Sequence, residues 1–125
     1  MSKPHGEVRV ARIYDKPSDA DGRRILVDRL WPRGVSKEQA ELDDWCKEVA
    51  PSDELRRWYQ HEPERFEEFS ARYRTELEEG EQAEALTRIA AEGTGGTVTL
   101  LTATKELDLS QAAVLKGVVE DLGRR

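Results

Sequence analysis

The chain has 125 residues, enough for one compact domain, with 37% hydrophobic residues, 37% charged residues and a net charge of −6. Its longest apolar runs, Ile25-Leu26-Val27 and Leu100-Leu101, fall far short of the roughly 20 residues that span a bilayer, which excludes a membrane-embedded class. The single cysteine, Cys46, excludes an internal disulfide or a multi-thiolate zinc site.

Residues 1–6 lead into Glu7 without the apolar stretch of a secretory signal, so the expectation is a cytoplasmic, soluble protein with a flexible tail over 1–6. Charge is unevenly spread. Residues 1–37 hold nine Lys/Arg against five Asp/Glu, whereas residues 38–125 hold eleven against twenty-one. Generic DNA coating needs a basic surplus to neutralise phosphates, so it is not expected here. A local basic pocket built from the first 37 residues is compatible with the same numbers.

In chain order, residues 8–14 are rich in β-branched and aromatic side chains and read as a first strand. Residues 16–22 follow as turn formers, with Pro17 early and Asp21-Gly22 late. Residues 24–31 read as a second strand ended by Pro32, which cannot continue a ladder. Ser36 suits the cap of a short helix through Ala40, and residues 45–49 read as a short edge strand. Ser52 caps a helix whose Leu55, Trp58 and Tyr59 share one face.

A break at His61-Glu62-Pro63 precedes a helix carrying Phe66, Phe69, Tyr73 and Leu77, which Gly80 is expected to stop. Ala83, Leu86, Ile89 and Ala90 mark another helix, ending at Gly93. After a turn at 94–96, residues 97–103 are apolar or Thr almost throughout, the pattern of an interior strand buried on both faces. A last helix spans 110–122. Without repeats or linkers, the pattern predicts a single α/β domain over 1–125: a mostly parallel sheet of about four strands packed by helices.

The densest chemistry lies in Asp28-Arg29-Leu30-Trp31-Pro32-Arg33-Gly34, at a strand exit, where open α/β sheets commonly bind ligands. Arg29 and Arg33 offer guanidinium forks suited to carboxylate or phosphate, Asp28 an orienting or acid–base group, and Trp31 a wall. The alternative puts Trp31 in the core, pairs Asp28 with an arginine, and leaves Pro32 and Gly34 making only a turn. Lys105 follows the interior strand and, in a parallel sheet, falls at the same edge as Arg33. His61 sits in a helix break as a candidate base. Two isolated histidines and one cysteine do not form a metal-ligand spacing, and no phosphate loop, dinucleotide fingerprint or nucleophile elbow is present, so neither metal nor cofactor is expected.

Tyr14-Asp15, Asp21-Gly22 and the Leu26 to Gly34 string with Lys37 resemble the domain-of-unknown-function family 488, in its YeaO-like branch. The likeness continues through Trp45, Ala50-Pro51-Ser52, Leu55-Arg56, Trp58, His61 and Pro63 to Phe69, Tyr73 and Leu77. Thr99-Leu100-Leu101, Ala103, Lys105, Gln111, Ala112, Val114 and Leu115 extend it to the last helix. The resemblance implies a small α/β domain with a parallel sheet, the Asp28-Arg29 segment following a strand, and no established reaction. In the family a helix joins the first two strands. Here only residues 15–24 are available, fewer than the dozen or so a parallel crossover usually takes, so the direction of that pairing stays open. Relatives usually carry His-Asn where this chain has Leu109-Ser110, which removes a possible base or ligand.

The reading is a domain that binds a phosphate- or carboxylate-bearing small molecule or nucleotide, with catalysis left open. Asp28 and His61 are its candidate catalytic groups, and Arg29, Trp31, Arg33, Lys37 and Lys105 its candidate ligand contacts. The alternative is a non-enzymatic module that recognises a protein or nucleic acid through the same Arg/Trp loop.

Overall fold

A computed structural model describes residues 7–93 and 96–123, so the expected tail over 1–6 and part of the 94–96 turn lie outside the described residues. Strands β1 (Val8–Arg12), β2 (Arg23–Leu26), β3 (Asp44–Trp45) and β4 (Val98–Thr102) form one sheet in the order β1-β4-β2-β3. Every neighbouring pair is parallel, with Val98 opposite both Val8 and Arg23, and Ile25 opposite Asp44. The chain is therefore α/β, as its pattern predicts.

The order also settles the short link between the first two strands. They are not neighbours; each pairs with β4, which lies between them. The link of about ten residues needs only to travel back along one strand, roughly 17 Å, well within its extended reach. At its end Gly22 has φ +63°, and a Cβ there would lie 2.1 Å from the Thr97 carbonyl oxygen, which accepts the Arg23 N–H at 2.9 Å. Glycine is what lets β2 begin against the chain entering β4.

All five residues of β4 are buried, because it has a strand on each side and packed side chains on both faces. Amide exchange is expected to be slowest across β4 and faster across β3, which pairs on one side only. Faster exchange in β4 than in β3 would contradict this order.

Several expected boundaries move, with β1 ending at Arg12 rather than at 14. β2 ends at Leu26 rather than at 31, since Val27 N–H makes the last ladder bond, to Leu101 O at 3.0 Å, and the next amide on β4's side, Ala103 N–H, donates to the Asp28 carboxylate instead. β3 is Asp44–Trp45 rather than 45–49: Cys46 N–H bonds Leu26 O at 2.8 Å, and the chain then coils into a 3₁₀ turn over Lys47–Val49. Gly80 opens a helix rather than stopping one.

The helices are α1 (Lys37–Ala40), α2 (Asp53–Tyr59), α3 (Phe66–Glu76), α4 (Gly80–Glu92) and α5 (Gln111–Gly123). Ser36 caps α1 through the Gln39 N–H, and Ser52 caps α2 through the Leu55 N–H, satisfying donors that have no partner inside the helix. The strand alternation sorts side chains onto two faces. Val8, Ile25, Val98 and Leu100 join Phe69, Tyr73, Leu77, Ile89 and Leu115 in the main core. Leu26 and Leu101 point the other way and meet only Ile13 and Ala40, with Trp31, Val35 and Trp45 partly buried around them. That thin second layer brings the Trp31 loop over the carboxyl ends of the strands.

Candidate functional site

Beyond the carboxyl ends of β2 and β4 lies an open cavity of about 500 Å³. Asp28, Arg29, Trp31 and Arg33 line it from the β2 exit, and Tyr14 from the β1 exit. Arg56, Tyr59 and His61 come from α2 and its end; Thr104 and Gln111 come from beyond β4. Five of the residues singled out in the sequence, Asp28, Arg29, Trp31, Arg33 and His61, thus share one cavity. Lys37 and Lys105 are exposed and stand off its lining, although Lys105 does follow β4 at the same edge.

Asp28 is held from both sides. One carboxylate oxygen accepts Thr102 Oγ1–H at 2.7 Å and Gln111 Nε2–H at 2.5 Å, and the other accepts Ala103 N–H at 2.8 Å. Its main-chain oxygen takes the Trp45 indole N–H at 2.7 Å. Burial pushes its pKa above the ordinary carboxylate value, against the Ala103, Thr102 and Gln111 hydrogen bonds and the more distant Arg56 charge, which pull it down. No arginine pairs with it directly among the described residues. Instead the carboxylate ties the exit of β2 to the exit of β4 and to the start of α5.

The arginines differ from one another. Arg29 reaches Asp53 at 3.6 Å, and Asp53 also accepts from Arg56 at 2.7 Å. The Arg56 hydrogen bond keeps the Asp53 carboxyl below its ordinary pKa. Arg33 has no side-chain partner among the described residues; its main-chain oxygen accepts the Tyr14 hydroxyl at 3.1 Å, which pins the loop. Three arginines therefore share a lining whose only carboxylate is Asp28, a positive patch in a chain of net charge −6.

Trp31 combines the two roles considered for it. Its indole N–H donates to Val35 O at 2.7 Å and its ring meets Trp45 edge-on at 5.3 Å, yet it also forms part of the cavity wall. His61 has φ 56° immediately after Gln60 at φ 46°, two consecutive non-glycine residues in the left-handed region.

A second, similar cavity of about 550 Å³ adjoins at Arg29, but Glu48, Glu79 and Glu81 outnumber Arg29 and Lys47 there. It lacks the cationic surplus. Among the described residues no group of three His, Cys, Asp or Glu side chains could hold a metal ion, and no helix is long and apolar enough to cross a membrane. Cys46 is fully buried, and burial pushes its thiol up to about 11, so it is not poised as a nucleophile.

Residues 7–125 match the family model described as the inactive DUF488-N3 subclade. The chain belongs to that family. It is 47% identical over 108 residues to an uncharacterized protein of Mycobacterium tuberculosis, covering 86% of this chain and 89% of that one. It is 40% identical over 108 residues to the uncharacterized protein YeaO of Escherichia coli, covering 86% and 92%. No solved structure matches the chain significantly.

Leu109, where the family resemblance implies a His, has a carbonyl that accepts the Tyr59 hydroxyl at 2.6 Å. Ser110 is buried and bonds Leu107 O at 2.7 Å through its hydroxyl. Tyr14, Arg56 and Gln111 line the cavity without having been singled out as site residues. All three lie within the stretches that carry the family resemblance, which is the one signal that could have found them.

Proposed function

We propose that this protein is a non-catalytic binding domain for a small molecule bearing a phosphate or carboxylate, held in the Arg33 cavity. One observation carries the reading. The cavity's single carboxylate has both oxygens engaged by three donors, while the Arg33 guanidinium has no side-chain partner among the described residues. A general acid or base must be free to exchange a proton with a ligand, and Asp28 is tied into the frame. The unpartnered cation is what a ligand can use. The family's description as inactive points the same way. A cytoplasmic setting, where phosphorylated metabolites abound, belongs to the same proposal.

Arg33→Ala is expected to weaken anion binding by about 1.5–3 kcal/mol, the scale of a hydrogen bond to a charged group. Stability should change much less, because the side chain is exposed and unpaired. Thermal-shift titrations of wild type and Arg33→Ala with phosphate, nucleotides and dicarboxylates measure both effects. The reading fails if no anion stabilises the wild type, or if Arg33→Ala lowers stability and leaves binding untouched.

A second reading rests on Leu30, a cavity-lining leucine that is 70% exposed. An apolar side chain held out beside arginines suits a protein or nucleic-acid partner docking on the loop. Absence of any small-anion effect, with pull-down losses on Leu30→Ser, would favour it.

A further inference from the structure

We propose that His61 is the specificity-determining residue of the cavity, and that it selects ligands whose anionic group is attached to a flat aromatic or heteroaromatic ring. The proposal rests on the anion-binding reading above and adds the other half of the ligand. Four of the chain's eight Trp, Tyr and Phe residues line this cavity: Tyr14, Trp31, Tyr59 and Phe69. Three of them are fixed by hydrogen bonds that leave their rings in place: Tyr14 to Arg33 O, Trp31 to Val35 O, and Tyr59 to Leu109 O. Tyr59 also stacks on Phe69, with centroids 4.1 Å apart and planes 14° from parallel. Tyr14 and Trp31 thus stand fixed beside the cations, while Tyr59 and Phe69 form a rigid stack beneath the lining.

His61 is the ring at its exposed end. Its centroid lies 5.6 Å from that of Tyr59, tilted by 47°. Ending α2 requires one left-handed residue, and Gln60 supplies it, its N–H bonding Arg56 O at 3.1 Å. A second left-handed residue is not needed for the cap, and placing a histidine there costs free energy. The imidazole has no hydrogen-bond partner among the described residues, so no internal polar contact offsets that cost. What the second left-handed turn does achieve is to bring the imidazole back to the cavity's edge. Strain kept at a cavity mouth, on a ring with an open face, fits a group that closes on a planar ligand.

The test uses inorganic phosphate and phenyl phosphate, titrated calorimetrically into wild type, His61→Asn, His61→Gly and Gln60→Gly. Asparagine and glycine both tolerate the left-handed backbone, so neither His61 variant should melt below wild type. Wild type is expected to bind phenyl phosphate about tenfold more tightly than inorganic phosphate, the factor a well-placed ring contact supplies. Both His61 variants should lose most of that preference and keep inorganic phosphate affinity within about twofold. Gln60→Gly should retain the preference and melt higher.

If wild type shows no preference, or if His61→Asn preserves it, the assignment to His61 is overturned while the anion cavity stands. If neither probe binds wild type, the anion-binding reading falls, and this one with it.

Discussion

Asp21→Ala is expected to destabilise the fold by about 3–5 kcal/mol, the range for breaking a buried ion pair by removing one partner. Asp21 and Arg24 are only 6% and 5% exposed, and the guanidinium meets the carboxylate at 2.6 Å. Arg24 sits on the thin second face of the sheet, where it also donates to Ala40 O from Nε and Nη2, at 3.1 and 2.8 Å. It therefore clamps the link before β2, the strand itself and the end of α1. Without the carboxylate the charge remains buried with carbonyl partners alone. Burial raises the pKa of Asp21, but the Ser18 N–H and the Arg24 charge outweigh that effect and hold it below the ordinary value. Its contribution is thus present above an unfolded value near 4 and lost as pH falls through the depressed folded value. Urea midpoints at neutral pH measure the effect; a loss under about 1 kcal/mol would mean the pair behaves like an exposed one.

Asp28→Ala is expected to cost about 1–3 kcal/mol, because it strands a main-chain donor rather than merely deleting a contact. Thr102 keeps the Thr104 hydroxyl at 3.1 Å and Gln111 can turn to the cavity, but the Ala103 N–H loses its acceptor. Asp28→Asn should recover only part of the loss, since its amide NH₂ would confront a donor whichever way it is turned. The pH dependence has the opposite sign to that of Asp21. Asp28's folded pKa is raised by burial, so the wild type gains stability as pH falls through that value towards the unfolded one near 4. Asp28→Asn cannot gain it, and its deficit should widen over that window. A deficit that narrows instead would show that the hydrogen bonds, not burial, dominate the carboxylate.

The interior strand was legible because a run such as Val98-Thr99-Leu100-Leu101 leaves no polar side to face water. The loop that leaves the second strand was legible from Pro32 and Gly34, although the ladder itself already ends at Leu26. Arg24 was not, because an arginine inside a strand reads as solvent-facing until its partner, three residues earlier in a turn, is folded against it. The nature of Asp28 was equally hidden. Its donors lie at Thr102, Ala103 and Gln111, far along the chain, so the part this carboxylate plays in tying elements together was not legible beside the acid–base reading. Arg29 and Arg33 looked equivalent in the sequence; only the fold brings Asp53 to one of them.

The central place of β4 also bears on how the chain comes to be folded. The first two strands emerge early during synthesis, yet neither pairs with the other, and each waits for a segment that begins at Val98. Until then both hold unsatisfied main-chain groups and apolar side chains, a state open to association with other chains. Helices α2 to α4 are complete before that segment arrives and can collapse together locally. The sheet thus cannot close until β4 enters between two strands made some seventy or more residues before it, with only α5 still to follow.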